Sequence, residues 1–293
     1  MHKYLRTIGF SKISTDRETR QLLDTLQDRC RGEARVVRTS SGDSFWEIRA
    51  VMGKELGIVM SGYVDTDGKL VRDHYMPYIE EQDISSDVYC SIERHVDNEV
   101  YSGLLDDVRV GITLIFRLNN TGEYLERRQR GLSTNTRGVQ LTGFCRNGKI
   151  LLPIVKNVQQ AALSKVADKA REQMIEAARN GDKNAMETLA NEDMNMYNVI
   201  SRRMMREDIY SIVDSCFMPQ GIECDIYEII GDILEISMRK NLLTGENLWD
   251  FLVKTNDLPI HVCINEADLQ GEPKVGRRFK GTIWLQGSAV WEN

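Results

Sequence analysis

KNVQQAALSKVADKAREQMIEAARNGDKNAMETLANEDMNMYNVISRRMMRE, residues 156–207, is the one long helical run in the chain, and it separates two β-rich regions. Val158, Ala162, Val166, Ala170, Met174 and Ala178 recur every fourth residue with Lys, Arg, Asp and Glu between them. That spacing predicts one narrow apolar stripe along a helix of about five turns. Asn180-Gly181 supplies a residue tolerant of positive φ at its end, and Asp182 caps a second helix. Met186, Leu189, Ala190, Met194 or Tyr197, Ile200 and Met204 make the stripe of that second helix. Two helices joined by a short glycine turn predict an αα-hairpin whose Met and Ala stripe is packing, not a binding surface.

Outward from that hairpin, the N-terminal side opens with a helix. Thr15-Asp16-Arg17-Glu18 fits a capping box, with Leu22, Leu23, Leu26 and Cys30 on the buried side and Gly32 as the stop. From Ala34 onward the period changes to two. Trp46, Ile48, Ala50 and Met52 alternate with Glu47, Arg49 and Val51, and Leu56, Ile58, Met60 and Val64 repeat the pattern. Asp67-Gly68 is a hairpin dipeptide before a strand at 70–78. Residues 108–118, apolar at every even position, predict the central strand of the sheet, and 124–129 a short arginine-rich helix. Asn147-Gly148 predicts a hairpin between strands at 139–145 and 149–154. On the C-terminal side, 208–217 reads equally as helix or strand. Beyond Gly221, short strands crowd together, with Gly231 at a bulge or bend, which suggests a small barrel.

Hydrophobic residues make up 41% of the chain and charged residues 28%, the composition of a soluble globular protein. No apolar lead of signal-peptide type and no transmembrane window is visible. Cys30, Cys90, Cys145, Cys216, Cys224 and Cys263 are scattered with no C-x-x-C pair, as expected of reduced cytoplasmic thiols. Residues 1–154 balance at 22 Lys+Arg against 22 Asp+Glu, so the net charge of −6 falls entirely on the rest. That balance argues against generic nucleic-acid binding, which needs a positive surface.

Four pieces of the chain bring one family into view: KYLRTIGFS (3–11), VRVGITLIF (108–116), FMPQGIECD (217–225) and GEPKVGRRFKGTIWLQG (271–287). Over essentially its whole length the chain resembles the bacterial domain-of-unknown-function family 3881. The resemblance implies an intracellular bacterial protein, and it transfers no catalytic residue.

Chemistry-bearing signatures are sparse. There is no phosphate-binding glycine loop, no G-x-G-x-x-G, no H-E-x-x-H and no G-x-S-x-G. His2, His74, His95 and His261 are the only histidines, and no two stand at a helical ligand spacing, so no metal and no cofactor are expected. The best polar constellation joins Asp73-His74 to Glu93-Arg94-His95, with Asp106-Asp107 nearby as the cap of a turn. His74, Glu93 and His95 on neighbouring strands could supply a general acid and base, against the plainer reading of a solvated sheet face. Arg277, Arg278 and Lys280, followed by Trp284, could hold an anion by charge and stacking, against the plainer reading of local ion pairs.

The expected fold class is α+β. Residues 1–155 form a mainly antiparallel sheet with one helix, 156–207 a helical-hairpin connector and 208–293 a small β-barrel-like domain. The expected function is a non-enzymatic cytoplasmic binding or protein-interaction module, with a protein or small anionic ligand as partner and no membrane. Its rivals are a hydrolase or transferase built on His74, Glu93 and His95, and nucleic-acid or anion binding by the basic loop.

Overall fold

The computed structural model describes residues 3–39, 42–80, 83–95, 99–154, 170, 173–178, 180–192, 213–221 and 224–292. The fold is α+β. A 3-10 turn at Leu5–Ile8 leads into helix α1 (Asp16–Arg29), whose start is the expected capping box: Glu18 N–H donates to Thr15 Oγ1 and Thr15 N–H to Glu18 Oε2. Strands β1 (Arg35–Arg38), β2 (Ser44–Gly53), β3 (Leu56–Val64) and β4 (Leu70–Ile79) follow as an antiparallel sheet in sequence order. The alternation of β2 is real: Trp46, Ile48, Ala50 and Met52 are all buried on one face.

Next come β5 (Cys90–Arg94), β6 (Tyr101–Leu105), β7 (Leu114–Leu118), helix α2 (Thr121–Gln129) and β8 (Thr136–Leu151). Beyond the helical run lie β9 (Cys216–Pro219), β10 (Ile226–Lys240), β11 (Asn247–Thr255), β12 (Leu258–Asn265), β13 (Leu269–Gln270) and β14 (Arg278–Trp291). All ten strands from β5 onward belong to one sheet. Within it β8, β12, β11, β10 and β14 pair in that order, and β14 pairs back to β8, so five strands close into a ring.

That ring corrects the division at 156–207. Residues 208–293 do not close a barrel by themselves, because β8 from the N-terminal side is the strand that closes it, parallel to β12 and antiparallel to β14. Strands from both ends of the chain share a continuous sheet. Of the helical run itself, the described residues show helix at 173–178, a turn at Gly181 (φ +91°) and helix at 183–192. Asp182 caps the second piece by accepting from the backbone N–H of Asn184 and Ala185. The remainder of the expected hairpin lies outside the described residues, as does 208–212.

Two local expectations also change. Residues 108–112 are turns, not strand. The Asp107 carboxylate accepts from the backbone and side chain of Arg109, and Gly111 takes φ +78°, so β7 begins only at Leu114. Asn147-Gly148 makes no hairpin; it lies inside the single long strand β8. Gly281 pairs with Gly148 and Ile283 with Cys145, which leaves one extra residue on β8 at a bulge.

Two cores result. One fills the large sheet with Phe116, Leu141, Phe251, Phe279 and Ile283. The other joins Trp46, Ile48 and Met60 of the small sheet to Leu23 and Leu26 of α1, and to Phe144 and Trp284 of the large sheet. No described helix is long and apolar enough to cross a membrane.

Candidate functional site

Leu114, Phe116 and Leu118 of β7 are buried in the large core, so alternation turns Ile115 and Arg117 to the opposite face. Phe116 is seated tightly. A Cβ at Gly103 of β6 would lie 2.0 Å from its ring, and one at Gly287 of β14 would lie 2.6 Å from it. Only glycine fits at these positions, so the packing of one core ring holds β6, β7 and β14 in register. Arg117 then stands directly opposite Ser102 on β6 and Gln286 on β14. The polar row continues to Glu93 on β5 and Thr142 on β8.

This row crosses the sheet where it forks. Trp284 of β14 pairs with Ile226 at the start of β10, while Gln286, two residues on, pairs with β7. Asp225 lies just before β10 and accepts from Trp284 Nε1 at 2.9 Å. The Trp284 ring stacks on Tyr4, with centroids 5.0 Å apart. Arg117 Nη2 is 3.7 Å from Asp225 Oδ2, too far for a good hydrogen bond. Arg117 Nε is buried with no hydrogen-bond partner among the described residues. Burial lowers the Arg117 pKa, and the attraction of Asp225 does not fully offset it.

β4 of the small sheet brings His74 over this row. Together with Val59, Ser61, Met76, Tyr101 and Trp284, His74 and Arg117 line a cavity of about 150 Å³. The His74 Nε2 atom is 3.3 Å from Asp73 Oδ2. Burial lowers the His74 pKa; Asp73 opposes this, and the charges of Arg117 and His95 add to it, so the ring is neutral at pH 7. His95 lies beyond the end of β5, with Nε2 2.9 Å from Ser102 Oγ. His95, Ser102 and Cys224 line a larger open cleft of about 610 Å³, which shares Arg117 and Trp284 with the first cavity.

The structure therefore brings His74 and His95 to the two sides of one arginine. Glu93 stays out of this cluster: its side chain is exposed, and no described contact links it to either imidazole. Of the expected trio His74, Glu93 and His95, the two histidines therefore share a cluster with Ser102 and Arg117, and Glu93 lies outside it. Asp107 is structural, buried against Arg109 and Ser86, while Asp106 accepts from Thr113.

The basic loop is corrected in the same way. Arg278 is buried and donates to the carbonyls of Leu152 and Val213. Arg277 donates to the Glu272 carbonyl, and Lys280 pairs with Glu228 at 2.9 Å. Phe279 belongs to the large core. Each cation is committed to its own neighbour, while Trp284 lines a cavity away from them. A second buried cluster, in which Asp250 accepts from Ser237, Arg239 and His261, ties β10, β11 and β12 together.

Sequence reasoning missed Arg117 and Ser102. One signal was available for Arg117, as the lone cation in the apolar run from Ile112 to Leu118. Comparison with known proteins adds a family and nothing finer. A protein-family model described as "Domain of unknown function, E. rectale Gene description (DUF3881)" matches residues 5–287. No curated protein and no solved structure matches the chain.

Proposed function

The chain belongs to this family of undefined activity, and from that premise we propose that it is a cytoplasmic bacterial binding protein whose ligand is a small anion held at Arg117. One observation carries the reading. A guanidinium with five N–H donors is largely withdrawn from water, its Nε has no partner among the described residues, and its nearest carboxylate stands at 3.7 Å. Withdrawing such an ion costs on the order of several kcal/mol unless hydrogen bonds replace the water. An oxyanion would supply them, and the planar fork of arginine suits carboxylate or phosphate. The 150 Å³ cavity sets the scale, since a void of about that size accepts a benzene-sized molecule.

The flanking groups fit a binder. His74 is neutral, so it adds a hydrogen-bonding atom without a second charge, and the two nearby carboxylates are engaged, Asp225 by Trp284 and the cavity-lining Glu99 by Tyr101 and Arg94. Six cysteines without a disulfide accord with a cytoplasmic setting. Titration calorimetry with acetate, butyrate and inorganic phosphate tests the reading. At least one of them should bind the native chain, and Arg117→Met should abolish that binding without unfolding. Equal binding by both proteins, or binding by neither, sinks it.

A second reading rests on the His95–Ser102 contact. Ser102 Oγ could attack an ester carbonyl while His95 Nε2 takes its proton, with Arg117 facing the developing oxyanion. Against it, no described carboxylate orients the His95 ring. Labelling of Ser102 by a fluorophosphonate, lost in His95→Ala, would favour hydrolysis over simple binding.

A further inference from the structure

Two opposite charges line the 150 Å³ cavity without meeting. Arg117 reaches it from β7, and Glu99 from the chain just ahead of β6. Their side chains are only 24% and 20% exposed, and no ion pair joins them among the described residues. Each has a partner elsewhere. Arg117 stands 3.7 Å from Asp225, while Glu99 Oε2 accepts from Tyr101 Oη at 2.6 Å and Glu99 Oε1 lies 3.0 Å from Arg94 Nη2. His74, the lining histidine, is neutral, and its neighbour Asp73 does not line this cavity. Arg117 and Arg94 therefore balance Asp225 and Glu99. A lone anion would upset that balance where water is largely excluded, whereas a ligand with one charge of each sign preserves it.

The two heads ask for different groups. Arginine only donates, so Arg117 calls for an acceptor, and an ionised carboxylate only accepts, so Glu99 calls for a donor. Tyr101 and Arg94 each meet one Glu99 oxygen, and a carboxylate has about four acceptor sites, so room for a further donor remains. We infer that the cavity takes a small 2-amino acid as its zwitterion: its carboxylate on the Arg117 fork, its ammonium donating to Glu99, and a short aliphatic side chain against Val59, Met76 and Leu118. Ser61 and the neutral His74 line the same cavity and offer acceptors for the other ammonium hydrogens. Glu99 also screens the ammonium from the Arg117 charge, which would otherwise repel it. A 2-hydroxy acid has the same shape without the cation, and so leaves Glu99 without a charged donor. A molecule such as 2-aminobutyrate, with about seven non-hydrogen atoms, matches the benzene-sized volume.

This inference rests on the reading of Arg117 as an anion site and names the class of anion. The test compares 2-aminobutyrate, 2-hydroxybutyrate, butyrate and inorganic phosphate by calorimetry on the native chain, Glu99→Gln and Arg117→Met. On the native chain 2-aminobutyrate should bind about tenfold or more tighter than 2-hydroxybutyrate or butyrate, because a hydrogen bond between two charged groups outweighs a neutral one. Glu99→Gln keeps the shape and one acceptor oxygen but removes the charge, and should bring the amine to within about twofold of the hydroxyl. Arg117→Met should abolish binding of all the carboxylates. If Glu99→Gln does not fold, the native comparison still decides, since amine and hydroxyl have the same size and differ in charge. A native ratio near one, or a ratio that survives Glu99→Gln, overturns the amino-acid assignment and leaves the anion site standing. Preference for phosphate does the same. Binding of 2-aminobutyrate that survives Arg117→Met, or failure of all four to bind the native chain, removes both conclusions together.

Discussion

Arg117→Met should leave the protein as stable as before or slightly more so, which is an unusual expectation for a residue between two sheets. Two terms set the sign. Attraction to Asp225 at 3.7 Å is worth about 4 kcal/mol at an effective dielectric constant of about 20. Desolvation of the guanidinium, which is only 24% exposed, opposes it. The lowered pKa of Arg117 says that desolvation is the larger of the two. Methionine has similar length and no charge, and Asp225 would keep its hydrogen bond from Trp284. The substitution relieves the guanidinium's desolvation, while the Trp284 N–H still serves the Asp225 carboxylate that is left behind, so a gain of about 0–2 kcal/mol follows. In a chain of this size that is a rise in Tm of up to about 4 °C. Differential scanning calorimetry at pH 7 measures it. Adding a binding anion at a hundred times its Kd should raise the native Tm by about 5 °C and leave the variant unmoved. A fall of more than about 4 °C in the variant would refute the reasoning, since Arg117 would then be holding the sheets together.

Glu47 is buried in β2 and accepts from Gly122 N–H; burial raises its pKa, and Arg49, Gly122 and Arg35 only partly oppose that. Its contribution to stability is therefore complete below the ordinary value of 4.5 and is lost as pH rises through the folded pKa, so Glu47→Gln should flatten urea stability between acid and neutral pH. Asp107 has the opposite sign: burial pushes its pKa up, but hydrogen bonds from Arg109 and Ser86 outweigh it, and the net shift is down. Its contribution holds above the ordinary 3.8 and disappears as pH falls through the folded value, and Arg109→Leu should cost about 3 kcal/mol in a urea titration at pH 7. Arg278→Gln should cost about 2 kcal/mol through its two lost carbonyl bonds, whereas Arg277→Gln should cost under about 1 kcal/mol; equal losses would contradict the assigned contacts. Gly103→Ala should lower stability by about 2 kcal/mol in the same assay, because its Cβ would overlap the Phe116 ring.

Local signals in the sequence were read where a single pattern governed a segment. The Thr15–Glu18 box, the alternation of Trp46 to Met52 and the short helix near Tyr124 depend on neighbours a few residues away. Residues 108–118 failed because two local patterns competed there. Even-position apolarity favoured a strand, but the Asp107–Arg109 bonds and Gly111 made turns of the first half. Asn147-Gly148 failed for a different reason. The same dipeptide that suits a tight hairpin also suits a bulge, and the partner strand β14 decided between them. The two-domain division failed because ring closure depends on β8 meeting β12 and β14 across the helical run, a long-range pairing with no periodic trace. Among the site residues, His74 and His95 were visible as polar residues on strands, but Ser102 is a common residue type with meaning only in register.

That register also explains why the site can be stiff without being well hydrogen-bonded. A one-residue slip of β7 would send Arg117 into the large core and Phe116 to the opposite face, so the hydrophobic alternation forbids it. The glycines at 103 and 287 remove the remaining freedom, because the Phe116 ring fits only where neither neighbour has a side chain. Arg117 is thus positioned by what lies behind it in the sheet. Groups held that way lose little freedom when a ligand arrives, which is the condition under which a small molecule can bind with useful affinity.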